Sequence, residues 1–477
     1  MDSKKRLYLS ILAYLFIGGV GGNVQAAGFA IMENSASGMG NAFAGAAAVA
    51  NDASTAWFNP AGLTLIKNPQ FTVAGHLVDG SAEYTDKGTN KGSSVNPVFT
   101  GGPVPGSITG ANDDGGTLGF VPNLYYVRPL SDKVSFGFSF NAPFGLETDY
   151  KDDWVGRYHA LNSAVTTINI NPSLGWQIND QLSLGGGISL QYVKAELSRA
   201  IDSTTTCLGA AGTNQQLSDL CTSVGLGPGT HSTLANDSKS ELESDNIEFG
   251  FNLGLMYSVN EATRLGMAYR SGITQGTEGN ARFTVNAGLK QVLDIVNAQL
   301  RATNAGMQLL ADTDIDAEVD LPPSLSLSVA HQANAKLQLL GDITWTGWSS
   351  FEELRIEHAS GQDDAVVDES WEDVIRYSIG ANYQLDDKWT LRTGLAFDEE
   401  AIPDDQHLTA TIPGNDRLWL SVGAGLNVSK KVHLDFGFAH LFVDDFEADN
   451  TAENGSTFRG DYKAVVNIAS AQLNWNF

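Results

Sequence analysis

The sequence predicts an all-β protein: a fourteen-stranded antiparallel transmembrane β-barrel with a small N-terminal hatch inside its lumen. Three observations carry that expectation. The chain starts like an export signal and holds no later helical span. Its apolar residues alternate with period two in many separate blocks. Very short turns alternate with long polar segments along its whole length.

Composition narrows the field first. The 477 residues carry 28 basic and 55 acidic side chains, a formal net charge of -27, which disfavours a nucleic-acid partner. An aromatic content of 9% is too high for a solvated, disordered polymer. Two cysteines in a chain of this length exclude a disulfide-stapled mini-domain.

At the N-terminus, Lys4, Lys5 and Arg6 precede an apolar run from Leu7 to Val20. Val24-Gln25-Ala26 has the small or short residues that a signal peptidase reads, placing the cut before Ala27 and a signal peptide over 1–26. Beyond it no stretch approaches the roughly 20 apolar residues of a membrane helix. An exported soluble protein and an outer-membrane barrel remain.

Alternation gives the strands. Leu418, Leu420, Val422, Ala424, Leu426 and Val428 share one face; Ser421, Gly423, Gly425 and Asn427 share the other. Trp389, Leu391, Leu395 and Phe397 repeat the pattern, as do Val432, Leu434, Phe436 and Phe438. Strands are expected near 70–83, 117–129, 132–147, 163–178, 181–200, 245–259, 262–284, 313–331, 335–353, 371–385, 387–398, 416–428, 431–443 and 461–477. The last ends at Trp475 and Phe477, an aromatic girdle, with Leu473, Ala471 and Ala469 toward lipid. A soluble sandwich would alternate too, but has no reason to keep all its short turns at one end. The barrel domain spans 70–477.

The long segments hold many carboxylates, which read as a solvated outer face. Cys207 and Cys221 share the 201–244 loop and are expected to pair in an oxidising compartment, although spacing alone does not show the bond. No cofactor and no metal site are expected.

Residues 27–69 differ from the rest. They are rich in Gly and Ala and are punctuated by Trp57-Phe58-Asn59-Pro60-Ala61-Gly62-Leu63. Small residues suit short helices in a confined space, and Phe29, Ile31, Met32, Trp57 and Phe58 would be costly left in water, so this segment is read as a hatch. In the third strand, Asn141-Ala142-Pro143-Phe144-Gly145 interrupts a good alternating run. Proline cannot donate to the ladder, so Pro143 should break pairing; a notch in the wall and a mere bulge are both open.

These pieces resemble the FadL-type long-chain fatty acid transporters of bacterial outer membranes. The matching residues are Ala27-Gly28-Phe29, Ser37-Gly38-Met39-Gly40, Asn59-Pro60-Ala61, Asn141 to Leu146, Thr344-Trp345-Thr346-Gly347-Trp348-Ser349 and Asp416-Arg417-Leu418-Trp419-Leu420-Ser421. The resemblance implies fourteen strands, an N-terminal hatch and a kinked third strand acting as a lateral gate at Asn141, Ala142, Pro143, Phe144 and Gly145. It also implies an outer groove between two extended loops, here 201–244 and 285–312. In the second, Leu289, Val292, Leu293, Val296 and Leu300 recur at helical spacing, a stripe fit for an acyl chain or for packing on the neighbouring loop. The pocket would lie near Phe29, with Arg199 of the fifth strand meeting the ligand carboxylate.

One departure bears on the ligand. Asp368-Glu369-Ser370-Trp371 and Val366-Val367 stand where a second cation is expected. Passive uptake of fatty acids therefore has a rival in uptake of neutral aromatic hydrocarbons, as in the family's aromatic-hydrocarbon branch; an adhesin or structural barrel is a third reading. No Ser-His-Asp constellation supports an enzyme. The expected partners are a hydrophobic ligand, outer-membrane lipid and lipopolysaccharide, with the protein a monomer.

Overall fold

The computed structural model describes residues 28–90, 108–228, 233–303, 306–451 and 456–477. The expected leader 1–26 and Ala27 lie outside the described residues. Among those described, no helix is long and apolar enough to cross a membrane. Twenty β-strands join in one sheet and form fourteen staves.

Eight staves are single strands: β1 (Gln70–Asp86), β2 (Leu118–Pro129), β5 (Asn162–Gln177), β6 (Leu182–Asp202), β7 (Asp237–Ser258), β16 (Trp389–Asp398), β17 (Arg417–Asn427) and β20 (Thr457–Asn476). Six are each broken in two. These are the third (β3 Val134–Asn141, β4 Gly145–Asp149), the seventh (β8 Thr263–Arg270, β9 Ile273–Thr284), the eighth (β10 Thr313–Leu321, β11 Ser324–Gln332), the ninth (β12 Leu337–Thr346, β13 Glu353–His358), the tenth (β14 Ala365–Asp368, β15 Val374–Gln384) and the thirteenth (β18 Val432–Val443, β19 Phe446–Thr451). Neighbouring staves pair antiparallel. β1 pairs with β2 and also with β20, from Gln70↔Asn476 to Asp86↔Gly460, so the cylinder is closed. Closure removes the exposed edge that an open sheet would present to lipid.

The two faces separate as the alternation requires. Leu418, Leu420, Val422, Phe436 and Phe438 are 44–51% exposed on the outside, whereas Ser421 and Trp419 beside them are fully buried. At the short-turn end a single device recurs. Asn179, Asn260, Asn334 and Asp386 each accept backbone N–H bonds two and three residues on, and Ser131 and Ser429 do the same through their hydroxyls. These side chains satisfy turn donors that the ladder leaves free.

Two expectations need correction. The sixth stave starts at Asp237, not near 245, because β6 and β7 continue their ladder to Asp202↔Asp237. Those extra residues include Lys239, Glu241 and Glu243, so the apolar pattern stops at the membrane surface while the hydrogen bonds do not. Five staves besides the third are interrupted. The eighth breaks at Pro322-Pro323 and the thirteenth at Asp444-Asp445, where proline or paired carboxylates disfavour continued pairing.

Residues 28–66 lie inside the barrel as three one-turn helices, α1 (Ala36–Met39), α2 (Ala46–Val49) and α3 (Thr55–Phe58), and a 3-10 turn over Pro60–Leu65. Phe29, Ile31, Met39, Phe43 and Leu63 are all at most 5% exposed. Close approach to the wall depends on inward-facing glycines. A Cβ at Gly254 would stand 2.0 Å from Asn59 Oδ1, and one at Gly185 would stand 2.3 Å from the Pro60 carbonyl carbon. Asn59 uses its side chain three ways: Nδ2 donates to the Ala47 carbonyl (2.7 Å) and to the Leu255 carbonyl of the wall (3.0 Å), and Oδ1 accepts from the Ala61 amide (3.0 Å).

Candidate ligand pocket and wall break

The third stave breaks between Asn141 and Gly145. β3 pairs with β2 only up to Leu124↔Phe140, and β4 pairs with β5 but not with β2. Residues 118–123 of β2 thus keep β1 on one side and have no ladder partner on the other. At 3.3 Å per residue that is an interruption of about 20 Å in the wall.

The start of the described chain occupies the inner side of this break. The Ile31 amide donates to the Pro143 carbonyl (2.8 Å), and the Gly145 amide donates to the Phe29 carbonyl (2.9 Å). Asn141 Nδ2 donates to Asn34 Oδ1 (2.8 Å), and Asn123 Nδ2 of β2 donates to the Glu33 carbonyl (2.8 Å). One segment therefore bridges both lips of the break.

Phe29 stands at the centre of a close-packed aromatic cluster, the candidate ligand pocket. Its ring centroid is 4.9 Å from Trp348, 5.7 Å from Phe351, 5.9 Å from Trp371 and 5.9 Å from Phe144. Val319, Leu321, Val374 and Ile412 complete the apolar wall. The breaks of the ninth and tenth staves account for this pocket: the chain leaves the ladder at 347–352 and 369–373 and brings Trp348, Phe351 and Trp371 inside. That is the structural role of the Gly347-Trp348 motif. Gly28 has φ +60, and a Cβ there would lie 2.3 Å from Trp371 and 2.6 Å from Trp348, so only glycine fits.

The other expected residues lie elsewhere. Arg199 is exposed near the outer end of β6 and makes no ion pair among the described residues. The level of Leu146 in the aromatic pocket corresponds, through Val165, to Ala195, so Arg199 stands four residues, or about 13 Å, further out. It is felt at the mouth instead: burial pushes the loop residue His159 down to about 4, and the nearby Arg199 charge adds to that fall. Phe29 and Arg199 do not share one pocket wall.

The stripe on α6 (Ala287–Thr303) is covered. Leu289, Val292, Leu293 and Val296 are at most 5% exposed and pack against α4 (Ser203–Ala211) and α5 (Gln215–Ser223); Leu300 is partly buried there. The loops fold on each other, the packing that the stripe's spacing allowed beside an acyl groove, and burying it removes its apolar surface from water. Cys207 and Cys221 are joined within this lobe. Glu369, one of the carboxylates at the anticipated cation position, is buried and accepts from Trp371 Nε1 (2.9 Å). A polar mouth of about 900 Å3, lined by Glu353, Arg355, Glu357, Asp363, Asp364 and Asp368, opens at this end.

One feature was not anticipated. Arg376, Asp398 and Arg417 lie directly opposite one another on three successive staves, and are only 5%, 2% and 1% exposed. Arg376 is one inward step below Val374, a wall residue of the aromatic pocket. Alternation through Leu418 and Leu420 already put Arg417 inside, but the row exists only once the register is known.

A fourteen-stave barrel with an interior segment, an apolar cluster beneath its mouth and an interrupted wall has the build of an outer-membrane transport protein rather than of an open porin. The profile of the family described as "Outer membrane protein transport protein (OMPP1/FadL/TodX)" matches residues 19–477. The chain belongs to that family and is a protein of the Gram-negative outer membrane. It is 30% identical to "Outer membrane protein P1" of Haemophilus influenzae, covering 99% of this chain and 100% of that one. It is 28% identical to the "Long-chain fatty acid transport protein" of Escherichia coli O6:H1, with 92% of each covered. Among solved structures, a Pseudomonas aeruginosa FadL homologue superposes with a TM-score of 0.80 at 24% identity, covering 94% of this chain and 100% of that chain. The toluene transporter TodX of Pseudomonas putida does so with 0.60 at 17%, covering 89% and 94%.

Proposed function

We propose that this barrel takes up long-chain fatty acids passively and releases them sideways into the membrane. The single observation that carries the reading is the Phe29–Pro143 arrangement: the segment that lines the apolar pocket is the same one that closes the wall break. A ligand that displaces Phe29 from Trp348 and Trp371 also pulls on the Ile31–Pro143 and Phe29–Gly145 bonds. Capture falls to the lobe of α4, α5 and α6, whose apolar stripe opens when the loops part. Arg199 meets the carboxylate first, at the mouth. The ligand then passes to the pocket, the hatch of residues 27–69 yields, and the cargo leaves through the gate at 141–145. Each transfer exchanges one apolar surface for another, so no step exposes the chain to bulk water.

The reading is tested by uptake of oleate in cells carrying a deletion of residues 142–145. Uptake at background with normal membrane insertion is the expected result; wild-type uptake would sink the sideways exit.

Neutral aromatic hydrocarbons are the second reading. The acidic mouth favours it, since Glu353, Glu357, Asp363, Asp364 and Asp368 repel a carboxylate. A parallel assay with toluene separates the two.

A further inference from the structure

We propose that Asn141, Asn169, Gln191 and Gln275, with Glu248 among them, form a hydrogen-bonding track round the inner wall. It hands the polar head of an acyl ligand from the aromatic cluster to the wall break, and takes that head in a neutral form, as a hydroxyl or a protonated carboxyl. The proposal rests on the sideways-uptake reading above and deepens it.

Register builds the row. Asn141↔Asn169, Asn169↔Gln191 and Gln191↔Glu248 are direct partners on successive staves. Glu248 and Gln275 each lie three residues from the Asp245↔Glu278 pair toward the short-turn end, so they stand level on the sixth and seventh staves. Gln275 pairs in turn with Val319, a wall of the aromatic cluster. One end of the row is therefore a lip of the wall break and the other is the cluster. At about 4.8 Å between strands, the steps from Gln275 to Asn141 cover about 19 Å.

The hydrogen-bonding capacity of this row is unfilled. Gln275 is 0% exposed, yet neither Nε2 nor Oε1 has a partner. Gln191 Nε2 and Asn169 Oδ1 also lack one, and below the row so do Asn171 Oδ1 and Asn252 Nδ2. Buried amides without partners are costly, and within a fold that satisfies its turns residue by residue the exception asks for a cause. The open atoms include both donors and acceptors, with the Glu248 carboxylate between them. A hydroxyl or a protonated carboxyl donates and accepts, whereas a carboxylate anion would bring a like charge up to Glu248.

The row is reached from the lumen. Ile247, Phe249 and Phe251 of β7 face lipid, while Asn246, Glu248 and Gly250 on its inner face are only half-buried. At the far end the row is capped by the segment that closes the wall break. Asn141 Nδ2 donates to Asn34 Oδ1 (2.8 Å), and Asn141 Oδ1 accepts from Asn169 Nδ2 (3.2 Å). Displacing that segment frees Asn141 for the arriving head. An apolar route suits the acyl tail but leaves the head without partners; passing it from one amide to the next keeps its hydrogen bonds made.

The test follows three radiolabelled compounds of equal chain length, oleic acid, oleyl alcohol and the headless octadecene, in cells carrying Gln275→Leu or Gln191→Leu. Leucine replaces an amide that has no partner to lose, so each variant should fold as well as the wild type. Accumulation of the acid and of the alcohol should fall by about fivefold or more, with octadecene within about twofold of wild type. Equal loss of all three, or no loss of acid and alcohol, would overturn the track; a loss confined to the acid would overturn the neutral head. If wild-type cells accumulate none of the three, the uptake reading itself fails, and the track with it. Should either leucine variant lack the heat-modifiable mobility of a folded barrel, Asn169→Leu tests the same row, and unchanged accumulation of acid and alcohol there counts against the proposal.

Discussion

The Ile31 amide donates to the Pro143 carbonyl at 2.8 Å, so the segment leading into the hatch makes the contact that the third stave withdraws from the second. Proline removes a donor from the ladder and leaves its carbonyl available. The wall break and the hatch are thus one object, and a change to either should be read out in the other. Replacing Pro143 by Ala restores an N–H and favours a straight stave. The expected outcome is slower oleate uptake, by several-fold, with unchanged or higher thermal stability in detergent.

Gly28→Ala tests the pocket. The substitution puts a Cβ into Trp371 and Trp348 and strains a left-handed residue, costing about 2 kcal/mol or more. Near-ultraviolet circular dichroism should lose part of its tryptophan signal while the far-ultraviolet β spectrum stays. An unchanged near-ultraviolet spectrum would remove the tight fit of residues 28–29.

Glu33 provides a pH dependence. Its carboxyl is buried in the hatch and its Oε2 has no partner. Burial pushes its pKa up to about 7, opposed by its own backbone hydrogen bond and by the charges of Arg417 and Arg376. The folded state therefore holds this proton more tightly than the unfolded chain, whose value is 4.5. Stability from this group is complete below pH 4.5, is lost as pH rises toward 7, and is flat above. The amplitude is on the order of 3 kcal/mol. Glu33→Gln should flatten that part of the urea-unfolding profile and raise stability at pH 8; a parallel, unshifted profile would exclude the effect.

Asn59→Ala removes two donated bonds and one accepted bond that tie the 3-10 turn to α2 and to the wall. At about 1 kcal/mol each, roughly 2–3 kcal/mol of local stability is at stake. Hydrogen exchange over residues 57–63 should accelerate by tenfold or more while β16 and β17 stay protected. Uniform acceleration across the barrel would mean that Asn59 serves global folding instead.

Opening the disulfide gives a last check. Cys207→Ser with Cys221→Ser should loosen the lobe that covers Leu289, Val292, Leu293 and Val296. Faster exchange in α6 with tighter binding of oleyl alcohol at the surface is expected. No change in either would argue that the stripe is permanent packing.

The staves, their faces and the closed cylinder were legible along the chain because each depends on nearest neighbours. Alternation is local, lipid selects the apolar face, and Ser131, Asn179, Asn260, Asn334, Asp386 and Ser429 announce the turns. Pro143 announced its own break. Register was not legible, and with it went the site. That Arg376, Asp398 and Arg417 form one row, that Trp348 and Trp371 leave the ladder to meet Phe29, and that Arg199 stands about 13 Å further out than the aromatic cluster all depend on how one strand slides against the next. So does the covering of the α6 stripe, since an amphipathic helix shows its apolar face in sequence without naming what buries it. A one-residue pattern determines which way a side chain points; only the closed barrel decides which side chains, from staves far apart in sequence, arrive at the same height.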